Sequence, residues 1–292
     1  MQPAELTWFV ARSLSFLGHL DPNGLAQRVA PRVRDTRREA ACCYVWQRES
    51  GAPSAGMVAL PPDPDEDDRT LRLAQPWFEA DPGDLVRLVA ELSERFEHEA
   101  AEIDLVALGD AHTERLAALF APDGFDLDVV RTLRFELADV PPLGSPLTLE
   151  AWRPAVDGAL RELVGRSEGW ALSDRRWAWL KRASGPFRPD LWFLASEAPD
   201  QPPLGYALCG ARAVSVAATF GLTSAGVAPE HRGSTEMLRR LTLSLLHELA
   251  GVSPLGKVET RLSGYDPKLI EILRSIGFAV GTPRPLLRRL PS

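Results

Sequence analysis

Cysteine is almost missing from this chain, with three in 292 residues: Cys42, Cys43 and Cys209. Two are adjacent and the third is distant, so no disulfide framework can be built from them, and no Cys/His cluster has the spacing of a zinc site. A reducing cytoplasm is the expected setting. Lysine is equally scarce, only Lys181, Lys257 and Lys268, and arginine carries nearly all the positive charge. Acidic residues outnumber basic ones 40 to 33, for a formal charge of -7 and a pI near 5.4. That balance argues against nucleic acid or an anionic membrane surface as a partner. No apolar run approaches membrane-spanning length, and the N-terminal Glu5-Leu-Thr-Trp-Phe-Val-Ala-Arg12 lacks a basic leader and a small-residue cleavage site. A soluble chain is expected, and no Ser/His/Asp constellation is suggested by spacing.

What is present is ample apolar material, 45% of the residues, in a chain long enough for two domains. Three prolines and a glycine interrupt the pattern at Asp139-Val-Pro-Pro-Leu-Gly-Ser-Pro146, which sets the expected domains at 1–140 and 141–292. The acidic stretch Pro61 to Asp68 reads as a solvated connection inside the first half. After the linker, strands are predicted at Leu147 to Trp152, Leu191 to Ala195, Leu204 to Ala211, Thr219 to Val227, Lys257 to Leu262 and from Phe278 onward. Helices are predicted at Ala155 to Val164, Asp174 to Lys181, Met237 to Leu249 and Pro267 to Ser275. The first half repeats the later part of this order. Strands at Ala41 to Gln47, Gly56 to Leu60 and Thr70 to Pro76 precede a helix at Leu85 to Phe96, then a strand at Glu102 to Leu108 and a helix at Thr113 to Phe120. The last helix of each half ends in Gly-Phe, Gly124-Phe125 and Gly277-Phe278, so the halves read as a tandem duplication, preceded by an amphipathic helix at Leu6 to Leu20.

The segment Gly226-Val-Ala-Pro-Glu-His-Arg-Gly-Ser-Thr235 combines a strand end, a tight turn and the start of a helix whose free N–H groups suit a phosphate. Its Val-x-Pro-x-x-Arg-Gly core resembles the acyl-CoA-binding motif of the GNAT N-acetyltransferase superfamily. The likeness covers most of Leu147 to Arg289 and, more weakly, Ala41 to Leu137. It implies an α/β fold of two tandem GNAT-like domains, each a mixed, mostly antiparallel sheet flanked by helices, in a mycothiol synthase-like arrangement with a degenerate N-terminal half. It further implies an enzyme that uses acetyl-CoA as co-substrate and acetylates a small-molecule amine, as a monomer or homodimer. The alternative is a catalytically silent tandem domain that binds an acyl-CoA, a metabolite or a protein.

Acetyl transfer to an amine requires a hold on the CoA diphosphate, a polarised thioester carbonyl, a base for the ammonium and an acid for the thiolate. For the diphosphate the resemblance points to His231, Arg232, Gly233, Ser234 and Thr235. The family pattern Gln/Arg-x-x-Gly-x-Gly/Ala is filled here by Glu230, Gly233 and Thr235, and Glu236 follows in the first helical turn. Ser234 or Thr235 equally suits an N-cap. Val227 and Ala228 are implied as main-chain partners of the pantetheine arm and thioester. In the closing segment the family's Asn and its Tyr or Asn facing the CoA sulfur correspond to Asp266 and Leu273. Asp266-Pro267 is a good helix start, and Leu273 lies on an apolar helical face with Leu269, Ile270 and Ile276. Tyr265 is the candidate acid, or else a turn aromatic. Glu259 is the candidate base, or else a solvent-facing strand residue. Trp170, Trp177, Trp179 and Phe187 line a pocket or fill a core. Cys209 reads as a small buried hydrophobe. The first half has no Arg-Gly turn and puts acids before its helix, so CoA binding is expected only in the second.

Overall fold

The computed structural model describes residues 43–47, 49, 51, 53–60, 70–79, 81–97, 100–105, 110–169, 172–182, 186–211, 215–263 and 267–289. The expected helix at Leu6 to Leu20, the acidic stretch Pro61 to Asp68, and Cys42, Trp170, Tyr265 and Asp266 lie outside them. Contacts divide the chain into two compact units. One comprises the described residues up to Val130 together with Arg284–Arg289, and the other runs from Arg131 to Pro283.

The first unit contains β1 (Cys43–Gln47), β2 (Pro53–Leu60), β3 (Thr70–Phe78), α1 (Gly83–Arg95), β4 (Ala100–Asp104), α2 (Asp110–Phe120), the start of β5 (Asp126–Glu136) and β12 (Arg284–Arg289). The first three strands form an antiparallel meander, β3 and β4 are parallel across the α1 connection, and β12 lies antiparallel between β4 and β5. Strand β3 runs past Pro76 because a register shift opposite Gly56–Val58 absorbs the proline. Helix α1 buries Leu85, Leu88, Val89 and Leu92 against Leu71, Leu73 and Ile103, the i, i+3, i+4, i+7 stripe visible in its sequence.

The second unit holds the rest of β5, then β6 (Thr148–Ala151), α3 (Asp157–Glu168), α4 (Asp174–Leu180), β7 (Trp192–Ser196), β8 (Gly205–Ala211), β9 (Thr219–Val227), α5 (Thr235–Val252), β10 (Lys257–Ser263), α6 (Pro267–Ile276) and β11 (Ala279–Val280). Its sheet order is β5-β10-β9-β8-β7-β6, with β11 on β5. The β9–β10 pair is parallel, and β8–β9, β7–β8, β6–β7 and β5–β11 are antiparallel. Helices α3 and α4 cover one face through Leu160, Leu163, Val164 and Trp177, packed on Trp192, Tyr206 and Leu208. On the other face α5 and α6 cover Phe193, Ala207, Cys209, Phe220 and Val258 with Leu246, Leu249 and Leu273. Cys209 is fully buried and burial pushes its thiol pKa up to about 12, so it behaves as a small hydrophobe. The stretch Asp139 to Pro146 runs beside α5, where His247 and Arg240 donate to the carbonyls of Pro141 and Ser145.

The two units share the order strand, helix, parallel strand, helix: β3-α1-β4-α2 and β9-α5-β10-α6. Both end alike. Gly124 (φ 78°) and Gly277 (φ 120°) are left-handed, and the next N–H, of Phe125 or Phe278, reaches back to the carbonyl of Phe120 (3.3 Å) or Leu273 (3.0 Å). This closure places each phenylalanine in its own core. The strand expected from Phe278 stops after two residues, and the chain then enters a second strand, Arg284–Arg289, that belongs to the first unit. No helix among the described residues is long and apolar enough to cross a membrane.

Candidate active site

Strand β9 leaves β10 after a short partnership. Their parallel register pairs Thr219 with Lys257, Phe220 with Val258 and Gly221 with Glu259, then ends, while β9 stays paired to β8 as far as Val227. Thr223 is an extra residue opposite the Leu208–Cys209 step of β8, and such a bulge bends its strand and adds twist. A gap therefore opens between β9 and β10. The Thr260 hydroxyl spans its narrow end by donating to the Leu222 carbonyl (3.2 Å). At the wide end the Ala228 N–H donates to the Leu204 carbonyl (2.8 Å). Alternation then turns the peptide groups of Ala225 and Val227 away from β8 and toward the gap. Ala225 is exposed although its cross-strand partner Ala207 is fully buried, which matches an open gap on that side.

The gap leads to the turn before α5. Here a short 3-10 segment, Pro229–His231, uses up several donors: the N–H groups of His231, Arg232 and Ser234 bond to the carbonyls of Ala228, Pro229 and His231. Ser234 caps the helix, its hydroxyl accepting from the Met237 N–H (3.2 Å). Among the described residues, the N–H groups of Gly233, Thr235 and Glu236 donate to no protein acceptor. They lie at the N-terminus of an 18-residue helix, where the macrodipole favours an anion. Gly233 is left-handed at φ 86°, and a Cβ built on it would meet nothing within 4 Å. Thr235 and Glu236 are exposed, so neither side chain fills the turn. The donors and the free space fit a diphosphate.

Side chains around the turn brace it against α3. Arg232 donates to the carbonyls of Ser167 (2.9 Å) and Arg166 (3.3 Å), at the C-terminal end of that helix. Arg166 in turn pairs with Glu230. The Glu230 carboxyl is held below the ordinary range first by its own backbone N–H and then by the Arg166 charge. Its acidity is thus directed at Arg166. Beside this brace, a hollow of about 600 Å³ borders Pro229, Arg161, Gly165 and Leu172.

The residues expected from sequence fall in different places. Val227, Ala228, His231, Arg232, Gly233, Ser234 and Thr235 follow one another from the wide end of the gap into α5, with Val227 packed on Met237 and Leu241. Glu259 sits at the last paired register, and its Oε1 accepts from Arg134 Nε (2.9 Å) and Nη2 (2.7 Å), with Lys257 Nζ at 3.6 Å. Leu273 is 4% exposed and packs with Ile276 and Phe278 in the core. Trp177 is core as well: it and Phe187 make edge contacts to Trp192, and Phe187 also meets Trp152. Lys181 Nζ lies 4.9–5.3 Å from the rings of Trp152, Trp177 and Phe187 and 2.9 Å from Asp157. Asp157 also accepts from Trp152 Nε1 (2.7 Å) and Trp177 Nε1 (3.1 Å). Burial raises the Asp157 pKa, but these bonds outweigh it and leave the carboxyl below its ordinary value. The described aromatics Trp152, Trp177, Phe187 and Trp192 pack together around the Asp157–Lys181 ion pair.

One polar group was not signalled by sequence. Glu168 ends α3, followed by left-handed Gly169 (φ 91°), and accepts a hydrogen bond from Ser224 of β9 (3.2 Å). Ser224 also bonds the Tyr206 hydroxyl of β8 (3.0 Å). Burial raises the Glu168 pKa above the ordinary carboxylate value, partly opposed by Ser224 and Arg176. Burial likewise raises that of Tyr206. Gly226 makes the arrangement possible, because a Cβ there would meet Ser167 Oγ and lie 2.9 and 3.0 Å from the Tyr206 ring and hydroxyl. Residues 56 positions apart meet here, and no spacing rule connects them.

The corresponding helix start in the first unit is closed by its own acid. Asp81 Oδ1 accepts the Gly83 N–H (2.9 Å), and the Asp81 carbonyl accepts the Asp84 N–H (3.2 Å). The buried Asp84 carboxylate adds a second negative charge, shared with Arg87 (3.0 Å). An incoming anion would face carboxylates.

No protein-family model and no curated protein matches the chain. Solved structures do. A GCN5-related N-acetyltransferase from Sphaerobacter thermophilus is similar over 96% of this chain and 91% of its own, with a TM-score of 0.58 at 16% identity. A functionally unknown conserved protein from Staphylococcus epidermidis is similar over 85% and 94%, with a TM-score of 0.51 at 11% identity. The glucosamine N-acetyltransferase region of a fungal multi-domain GH3 β-N-acetylglucosaminidase is similar over 84% of this chain and 32% of that one, with a TM-score of 0.51 at 13% identity. At these identities the likeness is one of fold.

Proposed function

We propose that this chain, whose fold is that of the GCN5-related N-acetyltransferases, binds acetyl-CoA in its second unit and transfers the acetyl group to the amine of a small molecule. One observation carries the reading: the β9–β10 pairing ends at Gly221–Glu259, and the resulting gap leads to three N–H groups at the start of α5 that no described residue accepts. The N–H groups of Gly233, Thr235 and Glu236 suit the diphosphate, with Ser234 capping the helix and Arg232 bracing the turn. The Ala225 and Val227 peptide groups suit the pantetheine arm and the thioester carbonyl, since they face the gap and lack a strand partner on that side. Ala228 and His231 shape the turn through their main-chain bonds. Glu259, bound to Arg134 and Lys257, orders the base of the gap. In the first unit the Asp81 carboxylate at the start of α1 disfavours an anion, so a single acetyl-CoA per chain is expected.

A calorimetric titration with acetyl-CoA tests this directly: one site per chain is the expected result, and no heat of binding at millimolar ligand refutes the proposal. A second reading, a silent domain that holds an acyl-CoA without reacting, draws support from Leu273, whose buried side chain cannot donate a proton to a thiolate. Release of CoA thiol above the hydrolysis background with any primary amine of a broad panel eliminates that reading.

A further inference from the structure

On the α3 and α4 face of the second unit, the point where β9 loses β10 is flanked by a carboxylate that no core-packing argument requires. Glu168 lies at the end of α3, Ser224 follows the Thr223 bulge on β9, and Tyr206 stands beside Gly226 on β8. Tyr206, Ser224 and Glu168 form a continuous chain of contacts, 3.0 and 3.2 Å long. We propose that Glu168 takes the proton from the acceptor ammonium, and that Ser224 and Tyr206 position it. The proposal rests on the acetyltransferase reading above.

The chemistry of this group suits the task. A half-buried carboxylate with its pKa raised by burial binds a proton more strongly than an exposed one, as a base for an ammonium must. Among the described residues, the charged and titratable groups facing it are Arg176 of α4 and Tyr206 of β8, with Arg232 from the turn donating to the carbonyls of neighbouring Arg166 and Ser167, and with Arg166 paired to Glu230. In the step itself the ammonium gives one proton to the Glu168 carboxylate. The freed nitrogen lone pair bonds to the thioester carbonyl carbon and the C–S bond breaks. A second proton leaves that nitrogen and ends on the CoA sulfur, giving amide and thiol. Glu168 then returns its proton to solvent. Ser224 and Tyr206 exchange no proton in this account; their hydrogen bonds fix the carboxylate and set how strongly it holds one.

The test compares the intact protein with E168Q and S224A. Acetyl-CoA affinity is measured by calorimetry, thiol release is followed with a primary-amine panel, and the Glu168 carboxyl is titrated by carbon-13 NMR. E168Q is expected to bind acetyl-CoA as the intact protein does and to lower kcat about 100-fold or more, the usual contribution of a general base. S224A removes a bond that favours the ionised form, so the acidic limb of the kcat/KM profile and the carboxyl titration both move to higher pH. A merely structural role for Ser224 leaves that limb in place. Unimpaired turnover in E168Q, an unmoved limb in S224A, or a Glu168 carboxyl titrating as an exposed one overturns the assignment while leaving the acetyl-CoA site standing. Failure of the intact protein to bind acetyl-CoA, or to acetylate any amine of the panel, overturns the reading beneath it.

Discussion

Replacing Gly233 by alanine separates the conformational demand of the turn from its proposed role in binding. The residue is left-handed at φ 86°, and a methyl group there meets no protein atom within 4 Å. The cost in stability is therefore the backbone term alone, about 1–2 kcal/mol for an L-residue held in this region. That corresponds to a Tm lower by roughly 2–8 °C for a domain of about 150 residues. Gly124, in the first unit, supplies the control: its φ is 78° and its surroundings are equally open, so Gly124→Ala should cost the same. Only Gly233→Ala puts its methyl into the space assigned to the diphosphate. Displacing the anion by a few tenths of an ångström weakens charge-assisted bonds from Gly233, Thr235 and Glu236, each worth about 1.5–3 kcal/mol. Loss of one such bond weakens binding by a factor of about 10–100. Thermal melts and acetyl-CoA calorimetry on both variants give the comparison. Equal affinity in the Gly233 variant and the unaltered protein would refute the phosphate assignment, and so would an equal loss in the Gly124 variant.

Other substitutions probe the remaining features. Gly226→Ala drives a methyl into Ser167 Oγ and the Tyr206 ring, and should lower stability by about 1–3 kcal/mol, read from urea unfolding. Arg288→Ala leaves the Asp128 carboxylate, 2% exposed and 3.1 Å from the guanidinium, without that charge; a loss of about 2–4 kcal/mol in the same assay is expected. Asp157 has its folded pKa depressed, so its contribution to stability is complete above the unfolded carboxylate pKa and disappears as pH falls through the folded value. Urea midpoints of Asp157→Asn should lie below those of the unaltered protein at neutral pH and converge with them in acid. For Glu168 the sign is reversed: a raised folded pKa contributes stability below the unfolded value and loses it as pH rises through the folded one. Glu168→Gln should therefore raise Tm at neutral pH while it lowers turnover, and a lower Tm there contradicts the burial argument.

Periodicity carried much of the architecture. The stripe Leu85, Leu88, Val89, Leu92 announces α1 without any tertiary information, and it is the face that packs. The repeated Gly-Phe endings were readable too, because a left-handed closure demands glycine and the following phenylalanine has only the core to enter. The turn from Ala228 to Ser234 was visible through Pro229 and Gly233. Which of its N–H groups stay free was not, since that depends on the 3-10 segment consuming the donors of His231, Arg232 and Ser234. The meeting of Glu168 with Ser224, like the placement of Arg284–Arg289 beside β4 and β5, depends on contacts between distant parts of the chain that no local pattern encodes.

The contrast between the two crossover helices shows how little separates an anion site from a structural helix start. In both units a strand enters a helix beside a parallel neighbour, so both backbones offer a positive helix end. In the first, Asp81 accepts the Gly83 N–H and Asp84 is buried within the first turn, so carboxylates of the chain satisfy and neutralise the site. In the second, Ser234 satisfies one donor with a neutral hydroxyl, and Glu230 is turned aside by Arg166, leaving three donors that no described residue accepts and an open left-handed glycine. Placing an aspartate at position 234 would reproduce the arrangement of the first unit at the start of α5. Ser234→Asp should keep the helix cap, and hence stability within about 0.5 kcal/mol, while repelling acetyl-CoA at this turn. Calorimetry alongside melting data distinguishes the outcomes. Retained affinity in a stably folded Ser234→Asp protein would mean that the free N–H groups of α5 do not hold the diphosphate.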